Sequence, residues 1–210
     1  MNIIESLQWR YAVKKFDADK ELTNKQINTL KEAFNLTATS YGLQPVSLVI
    51  VKNKEIQKQL VEFSFNQEQI AQASHILILC IPKKYDSQNV EKYFSLVKEI
   101  RNTPDDILNP FKEYMLNDVE TKTQQDLFLW NKNQAYIALG NLLTVCAVEK
   151  IDACPMEGFV PEKYDEILEL DKKNLQSILV IPVGFRAEDD FMKDLKKVRK
   201  KIENTTIEIH

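Results

Sequence analysis

Hydrophobic and polar positions along this chain switch between a helical and an extended period, and the switches predict alternating helices and strands. Ile3, Ile4 and Leu7 fall on one face of a short turn from Asn2 to Gln8. Thr23 with Gln26 has the form of a capping box, and Ile27, Leu30, Ala33 and Phe34 then recur at helical spacing, predicting a helix over Asn24 to Asn35. Thr37 to Pro45 breaks that period and is rich in hydroxyls. It reads as a polar loop, with Gly42 free to take a positive φ and Gln44 pushed towards extended geometry by Pro45. Val46 to Val51 is dense in β-branched residues and predicts a buried strand, followed by a helix from Lys54 to Phe63. Further strands are expected at Ile76 to Ile81 and Ser177 to Val183.

Ser87 to Glu120 is helical in period, interrupted at Pro104 and Pro110. With Tyr85, Tyr93, Phe94, Phe111, Tyr114 and Met115 it predicts a mobile helical cover. The longest helical run is Gln124 to Lys150. Its second half, Ala135 to Val148, is apolar nearly all round, which predicts burial on every side, as the spine of the domain, a dimer seam or both. Gly140 permits close approach of another backbone. Ile151 to Phe159 reads as a turn holding Pro155 and Gly158, and Pro161 as the start of a short helix. A last helix is expected to begin at Glu188-Asp189-Asp190 and to carry the cations that follow. Thr205 to Ile209 alternates as an edge strand does, with no hairpin partner nearby, and could pair with another subunit.

Composition narrows the class. The 210 residues contain no Gly-, Pro- or Ser-rich linker, so one domain spanning 1–210 is expected, and 44% hydrophobic content is enough for a sizeable core. A net charge of -3 argues against a general nucleic-acid binder, and the absence of an export signal or a membrane-length apolar run predicts a cytoplasmic protein. Cys80, Cys146 and Cys154 show no Cys-x-x-Cys spacing and sit among apolar neighbours, as reduced buried thiols do. The histidines are His75 and the terminal His210, so a zinc site or a Ser-His-Asp triad would rest on His75, which reads as a structural residue opening an apolar run. No metal is expected. Four glycines cannot write G-x-G-x-x-G or a Walker A loop, so a nucleotide cofactor would be held some other way.

The remaining chemistry is cationic. Arg10 and Lys14 interrupt the apolar run Trp9 to Phe16, and Lys196, Lys197, Arg199 and Lys200 cluster near the other end. Either group alone reads as a solvated face; if they meet, they frame a phosphate-sized anion. Phe65 to Ile70 is a run of polar side chains whose simplest reading is a solvated turn.

Taken together, Arg10 to Lys14, Ser40-x-x-x-Gln44-Pro45, Asn66, Pro155-Met156-Glu157-Gly158-Phe159 and Lys197-x-Arg199 resemble the FMN-dependent nitroreductase family, closest to its oxygen-insensitive nitroreductase and dihydropteridine reductase branch. The resemblance spans the whole chain. It implies an α+β fold with a mostly antiparallel central sheet flanked by helices, a homodimer with FMN at the subunit interface, and a C-terminal strand, 203–210, reaching over the partner.

It further implies that Arg10, Lys197 and Arg199 contact the FMN phosphate, and that Lys14 lies beside the N1 and O2 edge of the flavin. Thr39 and Ser40 would line the cofactor from the partner chain, Asn66 would meet the pyrimidine edge, and backbone amides of Glu157 and Gly158 would approach O4 and N5. Tyr11, Ala12, Gln44, Gln69, Pro155 and Met156 complete the implied cofactor-binding set. Tyr41, Phe111 and Tyr114 are the implied substrate contacts. The chain departs from the pattern at Ala12, where the close branch has a hydroxyl, at Gln69, where it often has lysine, and at Gly42 and Val46, which replace Asn and Trp.

The implied activity is ping-pong transfer of hydride from NADH or NADPH, through flavin N5, to flat electron-poor acceptors such as nitroaromatics, quinones or pteridines, with no essential protein acid or base. Two alternatives stand beside it: a non-catalytic flavin-binding module, and a family member with a different reaction such as dehalogenation.

Overall fold

Alternating apolar runs in the second and last long strands place side chains on both faces of a sheet, and helices cover both. In the computed structural model, which describes residues 2–210, the elements run α1 (Ile3–Trp9), α2 (Asn24–Asn35), β1 (Ser47–Val51), α3 (Lys54–Glu62), α4 (Gln69–Gln72), β2 (His75–Pro82), α5 (Ser87–Arg101), α6 (Asp105–Thr121), α7 (Gln124–Val148), β3 (Asp152–Ala153), α8 (Pro161–Ile167) and β4 (Leu175–Gly184). The sheet has the order β1-β2-β4-β3, with every pairing antiparallel.

Ile76, Ile78, Cys80 and Val180 pack on one face against Leu60, Ile70 and Tyr164, which belong to α3, α4 and α8. Leu77, Leu79, Ile81, Leu179 and Ile181 pack on the other, against Leu30 of α2 and Ala135, Ala138 and Leu142 of α7. A third cluster, Tyr85, Val90, Phe94, Met115, Val119 and Leu127, joins α5 and α6 to the start of α7.

Several expectations hold to the residue. Helix α2 begins behind Thr23, whose hydroxyl accepts from the Gln26 amide while the Gln26 side chain accepts from the Thr23 amide. Pro161 opens α8. His75 is a buried structural residue with Nδ1 2.8 Å from the Ser74 hydroxyl, and burial lowers its pKa. The three cysteines are free and buried.

Others are corrected. The strand over Val46 to Val51 is β1, but it lies at the sheet edge and is half-buried at four of its five positions rather than fully buried. Gln44 is not extended; it takes φ 44°, with its amide bonded to Thr39 Oγ1 and its side chain to the Asn35 carbonyl. Pro110 does not interrupt α6: it is the sixth residue of a helix that continues to Thr121 without that one amide bond, and the break falls at Asn102–Pro104. Within one chain helix α7 is not buried all round: Leu129, Ile137 and Val148 are 44–48% exposed along one flank, and among the described residues outside its own helical turn nothing lies within 4 Å of a Cβ placed on Gly140.

No α-helix follows Glu188-Asp189-Asp190 among the described residues; only a short 3-10 turn forms, at Ile202–Asn204. Residues 189–200 are irregular because a helix there would have nothing apolar to pack on: Phe191, Leu195 and Val198 are all strongly exposed. Thr205 to Ile209 forms no strand within this chain.

Candidate functional site

The segment after α1 adds itself to the sheet. Ala12 bridges Ala153 in parallel, Phe16 bridges Arg186, and Met156 bridges Val180, so residues 10–16, 152–158 and 184–186 lie side by side at one end. Gly184 permits this: a Cβ there would sit 3.1 Å from both the Phe16 ring and the Ser74 amide nitrogen. Asp190, a buried carboxylate, fixes the segment from the other side. Its Oδ2 accepts from the amides of Lys14 (2.8 Å) and Lys15 (3.1 Å), and its Oδ1 accepts from the Met192 amide. The acidic run therefore anchors a distant loop instead of starting a helix.

This arrangement brings the two cationic ends together within one chain. Arg10, Lys197 and Arg199 line a cavity of about 450 Å³, together with Trp9, Tyr11 and Ala12. The Lys197 ammonium donates to the Arg10 carbonyl. Burial, then the charge of Arg199, lowers the Arg10 pKa; burial, then Arg10 and Arg199, lowers that of Lys197. Among the described residues, none of Arg10, Lys14, Lys197 and Arg199 pairs with a carboxylate. Crowded cations with no internal counter-charge suit an external dianion, and a phosphomonoester matches both the charge and the donor set.

Beside this cavity the Lys14 ammonium lies 3.8 Å from Cys154 Sγ. Burial raises the Cys154 thiol pKa and the Lys14 charge partly opposes the rise, leaving a neutral thiol next to a cation. The 155–159 turn is held on three sides. Met156 exchanges backbone bonds with Val180, Gln67 Nε2 donates to the Gly158 carbonyl at 3.2 Å, and the Tyr136 hydroxyl donates to Glu157. Gln69, expected as a cofactor contact, is buried; its Nε2 donates to Gln67 Oε1 at 2.9 Å and lies 3.8 Å from Met156 Sδ. Asn66 is exposed, and both it and Phe65 have left-handed backbone, at φ 56° and 53°. The polar run is thus more than a solvated turn: its middle residue braces the Gly158 peptide.

Thr39, Ser40 and Gln44 are not linked to this cluster by any hydrogen bond among the described residues. The Ser40 amide donates to Gln134 Oε1 of α7 at 2.8 Å, and Thr39 caps the Gln44 amide. Tyr41, Phe111 and Tyr114 do come together. The Tyr41 and Phe111 rings are 6.0 Å apart, Phe111 and Tyr114 stack at 6.4 Å, and all three are exposed.

Residue reading missed Asp190, Gln67, Tyr136, Asp152 and Arg186. The only sequence signal among them is the pair of acids at Asp189 and Asp190, which suggested a helix start.

A sequence profile of the nitroreductase family matches residues 7–185. The YfkO protein of Bacillus subtilis strain 168, assigned as an NAD(P)H nitroreductase, is 31% identical over 198 residues, covering 89% of this chain and 90% of its own. Among solved structures, the Bacillus subtilis protein ydfN, assigned as a nitroreductase, superposes with a TM-score of 0.87 at 17% identity, covering 98% of each chain. An Exiguobacterium sibiricum protein also assigned as a nitroreductase, crystallised in complex with FMN, superposes with a TM-score of 0.86 at 15% identity over 100% of this chain and 98% of that one.

Proposed function

Because this chain belongs to the nitroreductase family, we propose that it is an NAD(P)H-dependent FMN oxidoreductase that reduces flat, electron-poor acceptors such as nitroaromatics, quinones or pteridines. Its fold, helices on both faces of a small antiparallel sheet, is nitroreductase-like. The observation that carries the reading is the convergence of unpaired Arg10, Lys197 and Arg199 on one cavity, continuous in the chain with Lys14 and adjacent in the sheet to the Glu157-Gly158 turn.

When bound, FMN supplies two-electron chemistry, accepting hydride from NADH or NADPH and delivering it to the acceptor in a ping-pong cycle. The protein's own residues do the rest. Arg10, Lys197 and Arg199 bind the phosphate, with Tyr11 and Ala12 as the adjoining wall. Lys14, its backbone held by Asp190, places a positive charge where electron density would accumulate in the ring. Gln69 fills the position of a second cation without supplying charge, so Lys14 is the main electrostatic stabiliser there. Asn66, Pro155, Met156, Glu157 and Gly158 form the far wall, with the Gly158 peptide oriented by Gln67. No side chain acts as an essential acid or base.

Thr39, Ser40 and Gln44 serve a partner's cofactor in a homodimer whose seam is the exposed flank of α7. The chain works as one domain, 1–210, with 85–120 covering the site and 203–210 extending to the partner. Tyr41, Phe111 and Tyr114 offer ring faces to a planar acceptor. The absence of any membrane-length apolar helix among the described residues accords with a cytoplasmic location.

The direct test is colour. Purified protein loaded with FMN should show a flavin band near ~450 nm that NADH or NADPH bleaches without oxygen and that an added quinone or nitroaromatic restores. Bleaching without restoration by any acceptor would favour a different flavin reaction. A protein that retains FMN but is never bleached would be a flavin-binding module. One that cannot hold FMN would refute all of these.

A further inference from the structure

We propose that Arg186 is a positioning residue for the phosphate end of the cofactor site, an inference that rests on the proposed FMN function. Arg186 lies outside the cavity wall formed by Arg10, Lys197 and Arg199. Its guanidinium is packed between two rings, with its central carbon 4.2 Å from the Trp9 ring centroid and 4.5 Å from that of Tyr11. Its own placement is fixed. Nε and Nη2 donate to Asp152 Oδ1 at 2.8 and 2.5 Å, and the Arg186 amide donates to Asp152 Oδ2 at 2.8 Å. Asp152 is 5% exposed and belongs to β3, so this fork is tied to the sheet.

The consequence falls on the residue between the two rings. Arg10, with φ -71° and ψ 143° at the C-terminal end of α1, stands in the chain between the two residues whose rings are held on this guanidinium. Holding residues 9 and 11 on one guanidinium therefore fixes the backbone on both sides of Arg10, from which its side chain lines the cavity shared with Lys197 and Arg199. Arg10 itself has no ion pair to direct it. Lys150 reinforces the clamp, with its ammonium 4.1 Å from the Trp9 ring centroid on the same indole.

A residue acting in this way affects recognition of the phosphate and not of the ring. The test compares FMN and riboflavin affinities, by flavin fluorescence quenching, for the full-length parent and for Arg186→Lys, which keeps a charge for Asp152 but loses the planar fork. The parent should bind FMN more tightly than riboflavin. In the variant FMN affinity should fall about tenfold, roughly the loss of one charge-assisted contact, while riboflavin affinity stays within about twofold. Equal weakening of both ligands, or an unchanged FMN-to-riboflavin ratio, would overturn the positioning role of Arg186. A parent that does not distinguish the two ligands would instead overturn the phosphate reading. If Arg186→Lys does not fold, Trp9→Leu removes one face of the clamp with the Arg186–Asp152 pair intact, and the same fall in the ratio is expected.

Discussion

Replacing Asp190 offers the sharpest test of how the Lys14 segment is held. Both lysine amides, of Lys14 and Lys15, bond to one carboxylate oxygen, and the Met192 amide bonds to the other. Asp190→Ala strands three part-buried donors, each costing up to about 1–3 kcal/mol and each recovering part of that loss from water. The expected total is about 2–5 kcal/mol, a large fraction of the stability of a typical domain. Asp190→Asn should be milder. Its side-chain carbonyl can take the place of Oδ2 and keep both lysine bonds, while its amide then opposes the Met192 amide, a loss of about 1–2 kcal/mol. Urea unfolding of the FMN-free protein, followed by tryptophan fluorescence, measures both differences. The order parent, Asn, Ala is the prediction. An Ala variant within about 0.5 kcal/mol of the parent would refute the claim that this carboxylate anchors the segment.

Other consequences are simpler to check. Burial pushes Tyr85 and Tyr164 up to about 12, from an ordinary value of 10.0. Their neutral forms therefore stabilise the fold fully below pH 10, and stability should decline as pH rises from 10 towards 12; a flat thermal midpoint over that range would contradict it. His75 works in the opposite direction, because its folded pKa lies below 6.5: its contribution is complete above that pH and fades in acid, and a His75→Gln variant should show a shallower loss of stability below pH 6.5. Gly42→Ala should destabilise by about 1–2 kcal/mol, since φ is 74° and the new Cβ would meet Tyr93 Oη at 2.9 Å; differential scanning calorimetry would show an unchanged midpoint if the strain were absent.

The parts of the fold legible in the sequence were those specified locally. Thr23 and Gln26 cap each other across three residues, and the apolar spacing that follows has a single interpretation, so α2 could be placed to the residue. The alternating faces of β2 could not be separated by eye from a uniformly apolar run, because helices cover both sides of the sheet. The cationic half of the site was legible because two separated charge clusters in an acidic chain called for a common anion. The bracing half was not. Gln67 reaches Gly158 across 91 residues and Asp190 reaches Lys14 across 176, and no local pattern encodes such partners. The helix expected after Glu188 failed for a related reason: its acidic start was recruited by a distant backbone, and its apolar residues had nothing to cover. Thr39, Ser40 and Gln44 were not legible as part of the cationic cluster either, because within this chain they bond to one another, to α2 and to α7.

The central claim is that Arg10 and Arg199 hold the cofactor by its phosphate. The most direct measurement is the FMN Kd of the Arg10→Ala, Arg199→Ala double variant set against a Lys200→Ala, Lys201→Ala double variant that removes the same net charge from the surface. Loss of two charge-assisted contacts should weaken FMN binding by about a hundredfold or more, whereas loss of two solvated ammonium groups should change it by less than about fivefold. Equal effects in the two variants would contradict the claim, because the cavity would then attract FMN only through its general positive field and not through contacts from Arg10 and Arg199.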